Sequence, residues 1–319
     1  MQLLGYTRLG TQSGRPLAII HGWGCDSTCM QPLAQMFSLR DVFLIDLPGY
    51  GKSAHLQDLC SDFSATNYLL LNTLPAGCDV ISWSFGSIYA LRAISTLYNP
   101  CLNMDSFIGS IQANANLKEL TLKYPTKGPS EFTSVLQAAT RDHPRALLAD
   151  KQRYIRSLIT ICGSPRFPCD PNWQGLSAIK ILKCNTQLTP QRLQRILKIF
   201  YRLIVSTEET KAPSGNSYPA FLNKRPEVPY EVLMAGIKMV TYLDERPSLS
   251  HLKVPSLHLF GRHDPLVPCS LANYFEQYVG HKSYIFEHSS HSPMFTEPEL
   301  FCQIVNNFYH SLDLGQNLS

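Results

Sequence analysis

The chain has 319 residues, of which 44% are hydrophobic and 16% charged, and a formal net charge of +4. This length can bury a full core but only slightly exceeds one large α/β domain, so one domain with an insertion is expected rather than two. The composition excludes disordered and fibrous classes. A small net charge without any Lys/Arg block also argues against a nucleic-acid partner.

The opening MQLLGYTRLG lacks the charged-then-apolar build of a signal peptide, and no run of about 18 apolar residues offers a membrane span. The expectation is a cytoplasmic protein with no membrane partner. Ten cysteines are scattered through the chain with no C-x-x-C pair and no Cys/His spacing that reads as a metal site. They are expected to be free thiols, mostly small buried hydrophobes. Cys162 and Cys169 are the two that can lie near a site.

In chain order, short apolar runs rich in β-branched residues alternate with helical patterns. They are PLAII (17–20 with Pro16), DVFLID (41–46), CDVIS (78–82), SLITIC (157–162), PSLHLF (255–260) and KSYIFE (282–286). Such alternation predicts a mostly parallel sheet flanked by helices, an α/β fold. Residues 298–312 close the chain as a helix behind Pro298, with Leu300, Phe301, Ile304, Val305 and Phe308 on one stripe.

Two stretches interrupt the alternation. Residues of about 98–150, rich in Asn, Thr, Ser and Lys, read as an insertion. Residues 164–250 read as a helical lid over the strand ends, which divides the core into 1–163 and 251–319. Within the lid, Thr189 can cap a helix that starts at Pro190 and runs to about Ile204. Leu193, Ile196, Leu197, Phe200 and Leu203 fall on one face, and Arg192, Arg195, Lys198 and Arg202 on another. That basic face is either solvated or a docking stripe for an acidic partner.

The chemistry-bearing signal is Ser82-Trp83-Ser84-Phe85-Gly86, between the CDVIS strand and the helical SIYALRAISTL. A serine on such a strand-to-helix turn projects above the sheet, with a helix N-terminus facing developing negative charge. Ser82 stands where the G-x-S-x-G pattern has its first glycine, a departure of modest size.

A serine hydroxyl needs a base, and the base needs an orienting group. Asp264 lies in GRHDPLVP after PSLHLF, and His291 in EHSSHSP after KSYIFE; both loops follow strands, and the order Ser, Asp, His is the one this fold uses. His288 and His263 compete as bases. Asp46, in DLPGYGKS, precedes Ser84 and reads as part of a turn that shapes the fold. His21-Gly22-Trp23-Gly24 follows PLAII, and its glycines let the backbone turn toward a substrate carbonyl. The two oxyanion donors are assigned to the backbone N–H groups of Trp23 and Phe85.

Taken together, HGWG, DLPGYGKS, W-S-F-G, SPRF at 164–167, LFGRHDPLVP and SYIFEHSSHSP followed by EPELFC resemble the pimeloyl-acyl-carrier-protein methyl ester esterases of biotin synthesis, within the α/β-hydrolases. The resemblance covers about residues 1–95 and 157–319; residues of about 98–150 have no counterpart in the common form. It implies an α/β-hydrolase fold, and a serine carboxylesterase that removes the methyl ester from a pimeloyl chain carried on acyl carrier protein. It further implies that basic lid residues, by position Arg195, Lys198, Lys211, Lys224 and Arg225, hold the acidic carrier, and that Phe200 lines the acyl channel. The reaction expected of Ser84, His291 and Asp264 requires no metal or organic cofactor. A general short-chain carboxylesterase, or a hydrolase-like module that only binds, are the competing readings.

Overall fold

The computed structural model describes residues 3–98, 155–176, 188–204 and 226–316. Seven strands form one sheet: β1 (Tyr6–Gly10), β2 (Pro16–Ile20), β3 (Asp41–Ile45), β4 (Asp79–Trp83), β5 (Ser157–Ile161), β6 (Ser256–Gly261) and β7 (His281–Phe286). Their order is β1-β3-β2-β4-β5-β6-β7. All neighbours are parallel except β1, which pairs antiparallel with β3.

The six strands expected from the apolar runs are present within a residue or two of their predicted ends. β1 is an addition. Its YTRLG sequence alternates exposed and half-buried positions at the sheet edge, so it lacks the continuous apolar run of the central strands. β2, and β4 beyond its first residue Asp79, are apolar or small in their buried positions because both faces are covered.

Among the described residues the α-helices are α1 (Gln31–Gln35), α2 (Phe63–Thr73), α3 (Gly86–Tyr98), α4 (Pro190–Leu203), α5 (Tyr230–Tyr242), α6 (Arg246–Leu249), α7 (Ala272–Phe275), α8 (Pro293–Thr296) and α9 (Pro298–Gln316). Asp62 caps α2 by accepting from the Ala65 N–H. α3 packs on β2, β4 and β5 and is covered in turn by α2. Its Arg92 forms a two-pronged ion pair with the buried Glu245, at 2.7 and 2.6 Å, which fastens the sheet helix to the segment after α5. α9 carries the stripe expected of it, with Phe301, Val305 and Phe308 buried and Phe286 of β7 stacked on Phe301.

Thr189 caps α4 as expected, its hydroxyl accepting from the Arg192 N–H at 3.3 Å. The buried face differs by a slight rotation. Leu193, Leu197, Tyr201 and Ile204 are buried, whereas Leu203, expected inside, is exposed. The Tyr201 hydroxyl donates to the Gly24 carbonyl, and this polar anchor on the loop after β2 takes the place of Leu203 in setting the inward face.

The strand order reverses between β2 and β4, because β3 leaves β2 on one side and β4 on the other. Open α/β sheets form a crevice beyond the carboxyl ends of the strands at such a point. In register, Ile20 of β2 lies beside Ser82 of β4, so the segments leaving these two strands emerge side by side.

Candidate active site

Ser84 leaves β4 with φ of 51°, in the left-handed region that L-residues rarely adopt. Two hydrogen bonds hold it there: its N–H donates to the Ile161 carbonyl at 2.8 Å, and its own carbonyl accepts from the Ser87 N–H at 2.9 Å. The turn brings α3 so close to β2 that a Cβ on Gly86 would stand 2.5 Å from the His21 carbonyl oxygen. Ser82, at the position where the pattern has glycine, is buried with its hydroxyl bonded to Ser87 Oγ at 3.2 Å and the Ile159 carbonyl at 3.4 Å. The departure is accommodated because that hydroxyl finds acceptors.

Asp264 sits three residues beyond β6. Its Oδ1 accepts from the N–H groups of Leu266 and Val267, at 2.8 and 3.0 Å, so the loop of Pro265 and Pro268 is wound around one carboxylate oxygen. The other oxygen, Oδ2, meets His291 Nδ1 at 2.7 Å, and His291 Nε2 meets Ser84 Oγ at 2.7 Å. The side chains of His291 and Asp264 are fully buried, and Ser84 is 5% exposed.

With a carboxylate accepting at Nδ1, the ring proton resides there and Nε2 is the acceptor for the serine hydroxyl. Trp83 Nε1 donates to the His291 carbonyl at 2.9 Å, which ties the residue before Ser84 to the histidine loop. The two loops meet closely: a Cβ on Gly261 would lie 1.8 Å from the Ser290 carbonyl oxygen. A hydroxyl, imidazole and carboxylate in this chain can pass a proton from oxygen to nitrogen while the carboxylate stabilises the resulting cation.

The competing groups lie apart. His288 is exposed, and its backbone N–H reaches Glu297; His263 is also exposed. Asp46 is buried and accepts from the Ser27 N–H and hydroxyl and from the Lys52 N–H, as a turn-forming residue would.

His21 contributes in a way its HG pair did not reveal. Its Nε2 accepts from the Leu47 N–H at 3.0 Å, so Nδ1 carries the proton and donates to the Gly22 carbonyl at 2.8 Å. Burial holds this ring below its ordinary pKa against the opposing charge of Asp46, which favours the neutral form. In a planar trans peptide the C=O and N–H point opposite ways. Pinning the Gly22 carbonyl therefore directs the Trp23 N–H away from the ring.

None of the described residues accepts a hydrogen bond from the N–H of Trp23 or of Phe85. The Trp23 indole donates to the Leu233 carbonyl at 3.0 Å, and the half-buried Phe200 of α4 stands edge-on to it with ring centroids 4.8 Å apart. Arg195 and Lys198 are exposed on α4. Lys211, Lys224 and Arg225, like most of the insertion expected at about 98–150, lie outside the described residues.

Ser290 and Ser292, the neighbours of His291, were also missed. Their hydroxyls donate to the carbonyls of Leu203 and Ile204 at 3.3 and 3.1 Å, at the C-terminal end of α4 where helix carbonyls lack internal partners. Nothing in the repeated serines of HSSHSP signals this, since the acceptors lie about 88 positions away.

A seven-stranded, mostly parallel sheet with a serine–histidine–aspartate chain at its switch point defines a class of hydrolase-type folds. The chain belongs to the alpha/beta hydrolase family, whose model matches residues 17–304. Among named proteins it is similar to the pimeloyl-[acyl-carrier protein] methyl ester esterase of Vibrio vulnificus, 26% identical over 297 residues, which cover 92% of this chain and 94% of the relative. The protein of the same name from Hamiltonella defensa is 26% identical over 294 residues, 91% of each chain. Among solved structures, an esterase from Exiguobacterium antarcticum superposes with a TM-score of 0.67 at 16% identity, covering 95% of this chain and 94% of that one. A bromoperoxidase from Bacillus anthracis gives 0.66 at 16% identity, covering 96% and 94%. Among the described residues no helix is long and apolar enough to cross a membrane.

Proposed function

We propose that the protein is a serine carboxylesterase that removes the methyl ester from pimeloyl–acyl carrier protein, with Ser84 as nucleophile, His291 as general base and acid, and Asp264 as the orienting carboxylate. The observation that carries the hydrolytic reading is the continuous chain Ser84 Oγ, His291, Asp264, with both links at 2.7 Å. Ser84 attacks the ester carbonyl as His291 Nε2 takes its proton. The oxyanion is received by the N–H groups of Trp23 and Phe85, each contributing about 3 kcal/mol at the transition state. His291 then protonates the departing methanol, and a water activated by the same ring releases the free carboxylate.

The substrate assignment is supported by the relatives of that name, which match along 92% of the chain. In this reading residues 164–250 form a lid whose Phe200 lines the acyl channel beside Trp23. The exposed Arg195 and Lys198, with Lys211, Lys224 and Arg225, then attract the acidic carrier. Exposed contacts of this kind are screened by salt, over a Debye length of about 8 Å at physiological ionic strength.

The test compares turnover of pimeloyl-carrier methyl ester with that of p-nitrophenyl acetate. The carrier-linked ester is expected to have the higher kcat/KM, and the double change Arg195→Glu and Lys198→Glu should raise its KM several-fold at low salt while sparing the small ester. Equal effects on both substrates would contradict carrier docking on α4, and a preference for the small ester would favour a general short-chain carboxylesterase.

A further inference from the structure

Cys162 follows β5 directly, and its N–H donates to the Leu259 carbonyl at 2.7 Å, which fixes the residue against β6. Its thiol is buried and has no part in the proposed hydrolysis. Yet Cys162 Sγ, a carboxylate oxygen of Asp264 and a ring nitrogen of His291 all lie within 4.8 Å of one another. Three different strands, β5, β6 and β7, deliver these atoms, and all three side chains are shielded from solvent.

From these residues we infer that Cys162, Asp264 and His291 form a binding site for a soft divalent cation of the zinc type, and that occupation of it switches hydrolysis off. The consequence for activity rests on His291 being the base; the binding does not.

The donor set is a thiolate, an imidazole and a carboxylate, the three side-chain types that zinc prefers. Bonds of about 2.0–2.3 Å in a tetrahedron place ligand atoms about 3.5 Å apart, so closing on a metal requires atoms now up to 4.8 Å apart to draw together, Asp264 to part slightly from the ring, and the Cys162 thiol to leave the Ser290 carbonyl that it meets at 3.7 Å. The orienting groups are already in place. Asp264 Oδ1 is held by the Leu266 and Val267 N–H groups, which leaves Oδ2 to turn toward a metal. Charge also balances, since one thiolate and one carboxylate neutralise a dication in a buried setting where net charge is costly.

The step is a ligand exchange without redox change. The Cys162 S–H bond breaks, its proton goes to solvent, and sulfur bonds the metal. The metal takes the Nδ1 lone pair, so the ring proton moves from Nδ1 to Nε2. The imidazole then donates to Ser84 Oγ instead of accepting from it, and a ring that already holds a proton at Nε2 cannot take the serine's. One metal ion thereby removes both the orienting carboxylate and the basic nitrogen from the reaction.

The experiment titrates the full chain with cobalt(II) and then zinc(II), following the near-ultraviolet thiolate-to-cobalt absorption, and measures turnover of p-nitrophenyl acetate at each zinc concentration with and without a chelator. The wild-type chain is expected to show the thiolate band at about one metal per chain, with zinc displacing cobalt and hydrolysis lost in step and restored by the chelator. Cys162→Ala should lose the band and weaken zinc binding at least about 100-fold, a larger effect than the 10–100-fold typical of outer-shell changes. Cys162→Ser, which keeps the size of the side chain, serves if the alanine variant does not fold, with the same loss of the thiolate band expected. No band in the wild type, or a band that survives both substitutions, overturns the site. Binding through Cys162 that leaves turnover unchanged overturns the switch, whereas the role of His291 as base is read separately, from turnover of His291→Ala without metal.

Discussion

Both ends of the sheet bury a carboxylate, and they use it differently. At the start of β4, Asp79 receives Arg40 at 2.6 Å, Arg156 at 3.2 and 3.3 Å and the Ser157 hydroxyl at 2.5 Å. Burial raises its pKa, with the Ser157 hydroxyl and the Arg40 charge opposing. Beyond the carboxyl ends, Asp264 receives two backbone N–H groups and one imidazole whose other nitrogen continues to Ser84. The first cluster is rooted at the starts of the strands, and two guanidinium cations hold its carboxylate in place. The second is carried on loops and contains one proton that can move along a hydrogen-bonded chain. Position explains the contrast: strand residues are fixed by the ladder, whereas loops beyond strand ends can aim side chains at one another.

The largest expected effect separates the two ends completely. Ser84→Ala should lower kcat/KM for any ester by about 10⁴–10⁶-fold, the scale on which triad members act together, while leaving the unfolding midpoint unchanged. Asp264→Asn should cost about 10⁴-fold in kcat, because an amide favours the wrong imidazole tautomer. A kcat within tenfold of wild type would transfer the orienting role to another carboxylate.

Asp79→Asn should do the reverse. It leaves Arg156, itself 5% exposed, beside an uncharged partner and should lower the unfolding free energy by about 3 kcal/mol in urea denaturation, with kcat of the folded enzyme unchanged. A large loss of kcat without loss of stability would show that the two ends are not independent.

The smallest effect concerns a buried histidine pair away from both clusters. His258 Nδ1 pairs with Thr160 Oγ1 at 2.7 Å and its Nε2 with His281 Nδ1 at 2.9 Å, while Phe275 stacks on the His258 ring. Burial lowers both pKa values, that of His281 to about 4, and the neighbouring ring lowers His258 further. The neutral forms belong to the folded state, so their contribution is intact above pH 6.5 and declines as pH falls from there toward 4, where the unfolded chain binds more protons. The melting temperature should accordingly fall between pH 6.5 and 4. His281→Asn should flatten that fall, and an unchanged slope would place the acid sensitivity elsewhere.

Much of this was legible in the chain itself. The central strands show because parallel strands buried on both faces read as unbroken apolar runs, and Ser84, Asp264 and His291 show because each occupies a turn just after such a run. β1 escaped because an edge strand half in water has no such run. Pairings across the fold escaped for a different reason. The Trp83 indole on the His291 carbonyl, and Ser290 and Ser292 on the end of α4, each join residues that only the strand order brings together; Cys162 was expected near a site, but not which residues it meets there. His21 lies between these cases: its HG pair marked a turn, but its task of fixing the Gly22–Trp23 peptide depends on the Leu47 N–H, 26 residues away.

Labelling the full chain with a fluorophosphonate and locating the adduct by peptide mass tests whether Ser84 is a nucleophile activated by His291. One phosphonyl group per chain is expected on the peptide that carries Ser84, none in Ser84→Ala, and much slower labelling in His291→Ala than in His288→Ala. An adduct on any other residue, or labelling of Ser84 at the same rate in both histidine variants, would contradict that assignment.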